Sequence, residues 1–408
     1  MLPECWKRST VGEGCLIKNY LRLPLSSEQR ALMQGEYPYY GPTGVLGYLD
    51  HYRIDEEIAL IGEDGDHFLK HRDREMTLFI EGKSSVNNHA HVVGNSESCL
   101  AKWFYYWFMH RDITPMLSRQ GVGRYKLTKA GLEKLEIWLP PVREQRKIAR
   151  ALATWDIAIS MTKKLLVNSR KQKQALMHQV LSGFRRLSQF NGNISRATTP
   201  HGSIPADWSY PRIEAMAQEI SVKHSSGADY PVLSCTKHDG LVDSLQYFKK
   251  RVFSEDLSTY KVVPRGSFVY ATNHIEEGSI GYQDLYDFGL VSPMYTVFKT
   301  NGEVDDSYLY RLLKTEHYRQ VFAAATNASV DRRGSLRWKE FKKLHIPLPS
   351  LEEQRAIAEL LDLADREIEL FEGQLKSLRT EKTALMQQLL TGKRRVKLDE
   401  PAEEASAA

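Results

Sequence analysis

Two long stretches of the chain repeat their apolar residues at alternating spacings of four and three. In the later stretch nine of ten positions on this lattice are apolar, namely Ile357, Leu361, Ala364, Ile368, Phe371, Leu375, Leu378, Leu385 and Leu389. Lys382 is the tenth. The earlier stretch follows the same lattice at Ile148, Leu152, Trp155, Ile159, Leu166, Leu176 and Val180. It is interrupted by Thr162, Ser169 and Lys173. This heptad pattern predicts two long helices, each with an apolar seam.

Prolines and glycines mark the ends of both helices. Pro140, Pro141 and Pro349 suit a helix start, because proline cannot continue a helix inward. Gly183 and Gly392 suit the exits. Each helix is then about 38 to 40 residues, or roughly 57 to 60 Å, long.

The two stretches are copies of one another. Residues 139–187 align with residues 348–396 without a gap at an offset of 209, and 21 of the 49 positions are identical. Upstream of each copy lies a longer segment, and the two segments align only at their ends. Both open on a Pro-x-x-Trp phrase, at Trp6 and Trp208. A variable, shared, variable, shared plan favours a common scaffold that presents two different surfaces.

Charge suggests how the helices pair. Residues 143–186 hold 11 basic and 2 acidic residues, whereas residues 352–395 hold 8 basic and 9 acidic. Complementary flanks predict that the two copies pair with each other in one chain. The alternatives are packing of each helix on its own domain and dimerisation with another molecule.

The expected fold class is α+β. It comprises two mixed α/β domains joined by two long helices that form an antiparallel intrachain coiled coil with an internal pseudo-twofold axis. The predicted boundaries are 1–137 for the first variable domain, 138–187 for the first helical region, 188–204 for a linker, 205–345 for the second variable domain, 346–396 for the second helical region and 397–408 for a disordered tail.

Composition excludes several classes of protein. Of the 408 residues 42% are hydrophobic and 26% charged, which is ordinary for a globular chain rather than a disordered or fibrous one. The four cysteines form no C-x-x-C pair, so neither a zinc site nor a disulfide framework is expected. The longest apolar run, residues 103–109, is too short to span a membrane. A soluble, cytoplasmic protein without membrane partners is the expectation.

Catalytic motifs are absent from the sequence. Gly82-Lys83-Ser84 lacks the first glycine of a phosphate-binding loop, and neither a dinucleotide fingerprint nor an H-E-x-x-H motif occurs. His89 and His91 could offer two metal ligands, but no third is evident, and a polar loop is the alternative. We therefore expect no catalytic residue, no metal and no cofactor on this chain.

Basic residues cluster near the end of each variable domain. Arg124 and Lys126 lie in the first, and Arg332, Arg333 and Arg337 in the second. A glycine-flexed basic loop can follow a phosphate backbone and reach base edges. A solvated helix face is the alternative for each run.

With the repeat in view, the chain resembles a specificity subunit of a type I restriction-modification system. The resemblance rests on Leu139-Pro140, Glu144-Gln145-Arg146 and Ala175-Leu176-Met177, and equally on Leu348-Pro349, Glu353-Gln354-Arg355 and Ala384-Leu385-Met386. It covers nearly the whole chain. Tyr37-Pro38-Tyr39-Tyr40-Gly41 is a further phrase typical of the family.

The resemblance implies a non-catalytic subunit of a multisubunit DNA adenine methyltransferase and ATP-dependent endonuclease. Each variable segment is then a target-recognition domain that reads one half of a split, asymmetric sequence in double-stranded DNA. The paired helices set the gap between the half-sites and dock two methyltransferase subunits. S-adenosylmethionine, ATP and Mg are expected on partner subunits. The methyltransferase subunits bind S-adenosylmethionine, and separate restriction subunits hydrolyse ATP. Phage defence is the implied biological role.

Candidate contact residues follow from residue chemistry, because Arg and Asn address bases and Lys anchors phosphate. The candidates for DNA are Tyr39, Asn87, Asn88, Arg124, Lys126, Lys237, Asn273, Arg332, Arg333 and Arg337. The candidates for helix pairing are Ile148, Leu152, Trp155, Ile159, Ile357, Leu361, Ile368, Phe371 and Leu375. A coiled-coil scaffold that binds only proteins, and the recognition subunit of a related methylation-based defence system, remain the alternatives.

Overall fold

The computed structural model describes residues 3–120, 124–192, 195–200, 202–224, 229–327 and 334–397. They form two compact units. The first unit holds the residues up to Lys163 and those from Gly373 onward, and the second unit holds Lys164–Glu372. The units cross the domain boundaries predicted above, because each contains the start of one long helix and the end of the other. The predicted tail lies outside the described residues beyond residue 397.

The first unit contains twelve described strands and four short helices. Its strands are Lys7–Thr10 (β1), Leu16–Ile17 (β2), Gln34–Gly41 (β3), Gly44–Leu49 (β4), Ile54–Asp55 (β5), Ile58–Gly62 (β6), Thr77–Ile80 (β7), Lys83–Val86 (β8), Ala90–Gly94 (β9), Ser118–Gln120 (β10), Arg124–Lys126 (β11) and Glu136–Leu139 (β12). Its short helices are Val11–Gly14 (α1), Ser27–Leu32 (α2), Ala101–Phe108 (α3) and Lys129–Glu133 (α4). The first long helix, Val142–Leu181 (α5), begins here and continues into the second unit.

The second unit contains ten described strands and four short helices. Its strands are Arg196–Thr199 (β13), Gly202–Pro205 (β14), Ala217–Ile220 (β15), Leu233–Thr236 (β16), Gly240–Asp243 (β17), Lys261–Pro264 (β18), Phe268–Ala271 (β19), Ile280–Tyr282 (β20), Phe288–Val291 (β21) and Tyr295–Thr300 (β22). Its short helices are Ser244–Phe248 (α6), Asp306–Leu313 (α7), Glu316–Asn327 (α8) and Trp338–Phe341 (α9). The second long helix, Leu351–Leu389 (α10), begins here.

A four-stranded sheet lies at the centre of each unit. The order is β2-β9-β6-β7 in the first unit and β15-β22-β19-β20 in the second. In the first unit, Ala59 and Ile61 of β6 face the aromatic helix α3, while Ile58 and Leu60 enter a separate core on the other face. Because side chains alternate along a strand, a strand covered on both faces must be apolar throughout, as β6 is. A second four-stranded sheet, β4-β3-β8-β5, and the two-stranded sheets β1-β12 and β10-β11 hold the other strands of this unit.

The long helices pack together in both units. In the first unit Ile148 and Leu152 of α5 share a core with Met386 and Leu389 of α10. In the second, Val180 and Leu181 of α5 share a core with Ile357 and Leu361 of α10. The start of each helix therefore meets the end of the other, which confirms the antiparallel intrachain pairing.

Among the described residues, no helix has both the length and the apolar composition that crossing a bilayer requires.

Candidate nucleic-acid interface

The polar loops of the first unit are held by a network around Glu63, at the end of β6. Its carboxylate accepts hydrogen bonds from Arg22 Nη1 at 2.6 Å and pairs with Lys126 Nζ at 3.2 Å. Burial would raise the pKa of Glu63, but these two cations outweigh it and hold the pKa below its ordinary value. Lys126, a predicted DNA contact, is thus engaged within the unit and about a quarter exposed. Only the backbone of its neighbour Arg124 is described, in β11.

The loop before β9 carries the two predicted asparagines. Asn87 is buried and its Oδ1 accepts from the His89 backbone N–H at 2.9 Å, which shapes the turn. Asn88 is exposed, and its carbonyl accepts from Arg22 at 2.9 Å. This turn presents Asn88 outward and keeps Asn87 inward. Contact of either residue with DNA stays a prediction.

His89 and His91 diverge in the structure. His89 pairs with Asp64 at 3.0 Å on the surface. His91 is buried, and its Nδ1 accepts a hydrogen bond from the Asn19 side-chain amide. The Nε2 of His91 donates to the Leu127 carbonyl at 2.7 Å. Burial lowers the pKa of His91, as expected for a neutral core histidine. Both ring nitrogens of His91 form hydrogen bonds within the protein, so His89 and His91 do not form a pair of metal ligands.

Tyr39 lies inside the fold rather than on a loop. It is 1% exposed on β3, and its hydroxyl donates to the Leu23 carbonyl at 2.7 Å. Burial raises the pKa of this phenol. The structure gives Tyr39 a role in fixing β3, and its predicted contact with DNA stays untested.

A partly exposed aromatic cluster at β3 was not among the predicted site residues. The rings of Tyr37 and Tyr52 meet edge to face at 5.0 Å, and Lys83 Nζ lies 4.9 Å from the centre of the Tyr52 ring. Tyr52 is 39% exposed. Tyrosine faces beside a lysine can stack on bases and attract phosphate. The sequence Tyr37–Gly41 drew attention to this segment. It gave no indication that Tyr37 packs against Tyr52, fifteen residues later.

In the second unit, two predicted residues meet in one cleft. Asn273 and Arg337 line a cavity of about 710 Å³ together with Lys261 and Lys339. Lys261 Nζ donates to the Tyr295 carbonyl at 2.6 Å, and burial lowers its pKa below the ordinary value. An amide and three cations, against the single carboxylate of Glu219, suit a nucleic acid edge and its phosphates.

The remaining candidates of the second unit lie apart from this cleft or outside the description. Lys237 is exposed, and its carbonyl accepts from Lys314 at 2.9 Å. Arg332 and Arg333 lie outside the described residues. Their assignment to DNA stays a prediction.

The predicted pairing residues fall into a buried and a half-buried group. Ile148, Leu152, Ile159, Ile357, Leu361 and Leu375 are buried. Trp155, Ile368 and Phe371 are half-buried. The buried group lies toward the start of each helix, and Leu375 is the exception.

The Glu-Gln pair of each repeat forms a junction between the two helices and the variable domain. Glu144, fully buried, accepts from Trp6 Nε1 at 3.1 Å and from Arg395 Nε at 2.6 Å. Gln145 Nε2 donates to the Pro140 carbonyl at 2.8 Å, while its Oε1 accepts from the Leu100 backbone at 2.9 Å. The junction thus uses residues from distant parts of the chain.

The second unit repeats this junction. Glu353 accepts from Trp208 Nε1 at 3.1 Å and from Arg186 Nε and Nη2 at 2.8 and 2.6 Å. Gln354 donates to the Pro349 carbonyl at 2.9 Å and accepts from the Asp305 backbone at 2.8 Å. The carboxylate raises the pKa of Arg186, so this guanidinium stays charged.

A glycine allows each junction to close. Gly183 and Gly392 adopt φ of 64° and 68°, in the left-handed region that favours glycine. A Cβ on Gly183 would lie 2.5 Å from Pro205, and one on Gly392 would lie 2.4 Å from Pro3. The two glycines predicted as helix ends therefore also leave room for the proline of the Pro-x-x-Trp phrase to pack against the end of the helix in the same unit.

Twelve residues further along each helix, an aspartate binds the helix of the variable domain. Asp156 accepts from the Tyr106 hydroxyl at 2.6 Å and pairs with Lys382 at 2.5 Å. At the same position of the repeat, Asp365 pairs with Lys173 and, at 2.8 Å, with Arg311. The lysines that interrupt the apolar lattice are the partners of these aspartates.

Comparisons with known proteins agree with this architecture. A family model described as the type I restriction modification DNA specificity domain matches residues 3–168 and 218–380. The chain is 25% identical over 417 residues to the type I restriction enzyme MjaVIII specificity subunit of Methanocaldococcus jannaschii, covering 97% of this chain and 94% of the relative. It is 22% identical over 388 residues to the EcoDI specificity subunit of Escherichia coli, covering 87% and 80%. The S subunit of a type I restriction-modification system from M. genitalium has the same fold, with a TM-score of 0.58 at 14% identity over 94% of this chain and 96% of that one.

Proposed function

The chain belongs to the type I restriction modification DNA specificity family, and on that premise we propose that it reads a bipartite, asymmetric DNA target with one unit for each half-site. It is a specificity subunit, the non-catalytic component of such a system. In this proposal the first unit reads one half-site and the second unit reads the other.

The observation that carries the proposal is the contrast between shared junctions and unlike outer surfaces. A glutamate and an arginine at the same repeat positions build both Trp-Glu-Arg junctions, each with the tryptophan of its opening Pro-x-x-Trp phrase. The exposed chemistry differs, with a Tyr-Tyr-Lys cluster in the first unit and an Asn-Arg-Lys cleft in the second. Two dissimilar readers on one scaffold imply two dissimilar half-sites.

The partners follow from the same premise. Two methyltransferase subunits that bind S-adenosylmethionine dock on the paired helices and methylate adenine. Restriction subunits that use ATP and Mg join the complex, and the assembly acts on DNA in the cytoplasm as a defence against phage.

The experiment that tests the proposal is single-molecule sequencing of methylated adenines. Cells that express this chain with its cognate methyltransferase are compared with cells that lack this chain. A split motif with two unlike halves that disappears without the chain supports the proposal. Unchanged methylation contradicts it and favours a scaffold that binds proteins only.

A further inference from the structure

Two tight turns line the Asn-Arg-Lys cleft of the second unit side by side. The first turn leaves β19 and closes with a hydrogen bond from the His274 backbone N–H to the Ala271 carbonyl at 3.2 Å. The second turn enters β22 and closes with a hydrogen bond from the Tyr295 backbone N–H to the Ser292 carbonyl at 3.0 Å. Because Ala271 and Tyr295 are register partners in the sheet, the two turns are neighbours.

Thr272 joins these turns to a third segment that lines the cleft. Its Oγ1 donates to the Met294 carbonyl at 2.9 Å, and its own carbonyl accepts from the Leu336 backbone N–H at 2.7 Å. Asn273 follows Thr272 along the chain, and Arg337 follows Leu336. Asn273, Met294 and Arg337 therefore line the cleft from three segments that are hydrogen-bonded to one another.

The Asn273 amide is open to a ligand. It lines the cleft half-buried, and none of the described residues forms a hydrogen bond with it. Asn301 of the same unit, in contrast, donates from Nδ2 to the Ala215 carbonyl at 3.2 Å and accepts at Oδ1 from the Glu303 backbone N–H at 3.1 Å. An amide with both its donor and its acceptor available matches the N7 acceptor and the N6 donor that adenine presents in the major groove.

Met294 is an exposed apolar residue in the same cleft, with 58% of its surface accessible. Its turn has Pro293 at the second position, where the fixed φ of proline is favoured and restricts the turn. The thymine C5-methyl group lies in the same groove as N6 and N7 of the paired adenine. An apolar side chain beside an open amide can therefore address both bases of one A·T pair.

Cations accompany these two side chains. Arg337 and Lys339 are exposed where they line the cleft, and Lys261 is held there by its hydrogen bond to the Tyr295 carbonyl. Among the described lining residues, Glu219 supplies the one carboxylate. Cations of this kind hold the DNA backbone, which brings a base pair within reach of the amide and the methionine.

We propose that Asn273 and Met294 together read one A·T base pair in the major groove of the half-site bound by the second unit. Asn273 contacts the adenine, and Met294 contacts the thymine methyl group. A G·C pair is rejected because guanine presents the O6 acceptor where adenine presents a donor, and because cytosine lacks the methyl group. This inference rests on the proposed function and names two residues that determine its specificity.

The first experiment sequences methylated adenines in cells that express the full chain with its cognate methyltransferase. Asn273→Ala should make one A·T position of one half-site degenerate, with discrimination at that position falling about tenfold to hundredfold, and should leave the other half-site unchanged. Asn191→Ala is the matched control. It removes an exposed asparagine of the same unit outside the cleft and should not alter the motif.

The second experiment uses base analogues and fluorescence anisotropy of the assembled complex. Each A·T pair of the motif in turn carries 7-deazaadenine, which lacks the N7 acceptor, or deoxyuridine, which lacks the methyl group. At one and the same pair, affinity should fall about fivefold for 7-deazaadenine, which loses one hydrogen bond, and about fourfold for deoxyuridine, which loses one apolar methyl contact. The scan on the unaltered chain needs no substitution, so it decides the question even if a variant does not fold.

The variants then assign each loss to a residue. Asn273→Ala should abolish only the loss caused by 7-deazaadenine, and Met294→Ala only the loss caused by deoxyuridine. Val252→Ala changes another exposed apolar residue of the second unit, outside the cleft, and should keep both losses.

The other outcomes separate this inference from the proposed function. A motif that stays sharp at every position in Asn273→Ala, with an unaltered complex that is indifferent to both analogues, overturns the inference and leaves the proposed function intact. A uniform loss of affinity across sequences for Asn273→Ala makes it a backbone contact and also overturns the inference. If no split motif depends on the chain, the proposed function itself is contradicted.

Discussion

Removing the buried carboxylate of each junction should cost the second unit more stability than the first. Glu353→Gln and Glu144→Gln are the same change at equivalent positions of the duplication. Each glutamine can still accept from the tryptophan, so what is lost is the charge that faces the arginine.

The exposure of the arginine sets the magnitude. The Arg186 side chain is 8% exposed, whereas that of Arg395 is 42% exposed. A cation left in a buried site without its partner costs about 3 to 5 kcal/mol. Asp207 keeps one contact with Arg186 at 2.8 Å, so about 3 kcal/mol is expected for Glu353→Gln. Water can solvate Arg395, so Glu144→Gln should cost about 1 to 2 kcal/mol.

The assay is hydrogen exchange followed by mass spectrometry, read separately on peptides from each unit. A single melting curve would mix the transitions of two compact units. Protection should fall mainly in the second unit for Glu353→Gln, and less, in the first unit, for Glu144→Gln.

A matched double variant isolates the ion pair. Glu353→Leu with Arg186→Met replaces the pair by apolar side chains of similar size, which is often close to neutral. It should recover the loss except for about 1 kcal/mol from the unpaired Trp208 indole. Equal losses in the two single variants, or a larger loss for Glu144→Gln, would refute the reasoning from arginine exposure.

Three further predictions concern spacing, DNA contact and pH. Seven residues inserted into both long helices add about 10 Å to each and should lengthen the spacer of the methylated motif, whereas a folded variant that methylates only the original spacing contradicts this. Neutralising Arg332 and Arg333 together should weaken specific DNA binding by the assembled complex, and unchanged affinity at moderate salt removes both from the interface. Burial raises the pKa of Asp365, but Lys173 and Arg311 lower it more, so the folded value lies below the ordinary 3.8. The stability this group contributes is therefore complete above 3.8 and lost as pH falls through the folded value, and urea titrations of Asp365→Asn should lack that acid dependence.

The long helices could be predicted closely because their signals are local. Heptad spacing with flanking proline and glycine gives a start and an end, and α5 begins at Val142, directly after Pro141. The polar interruptions were tolerated for physical reasons that only the structure shows. Thr162 is buried, and its hydroxyl donates to the Ala158 carbonyl one turn earlier.

The amphipathic pattern that runs from Asp306 to Phe322 reads as one helix in the sequence, but the structure has two helices there, α7 and α8. α7 ends at Leu313, and Thr315 begins the next helix because its Oγ1 accepts from the Tyr318 backbone at 3.3 Å. The amphipathic pattern continues in phase from α7 into α8, so the pattern alone does not reveal the break between the two helices. Thr315, a residue type that commonly caps the start of a helix, was the one sign of the break in the sequence.

The candidate interface was less accessible to sequence reasoning, since burial of a polar residue depends on distant partners. Tyr39 lies in a tyrosine-rich segment that would be expected on the surface. This segment is β3, which lies between β4 and β8 in its sheet, and the Tyr39 side chain is buried there. Tyr52 and Lys83 are 31 residues apart and meet only because their segments belong to one sheet region. Spacing along the chain carries no information about such contacts.

The two aspartates one repeat apart show how the scaffold admits unlike variable domains. Asp156 and Asp365 keep their lysine partners at the offset of 209, but the donor from the variable domain is a tyrosine in one unit and an arginine in the other. A carboxylate accepts from either, so the junction demands a donor at that place and not a particular residue. The Trp-Glu-Arg contact, which keeps all three residue types, is the stricter condition. Divergence of the outer loops is therefore compatible with a fixed attachment to the helices, because each variable domain must supply one tryptophan, one side-chain donor and a backbone N–H for the glutamine, which any residue but proline can offer.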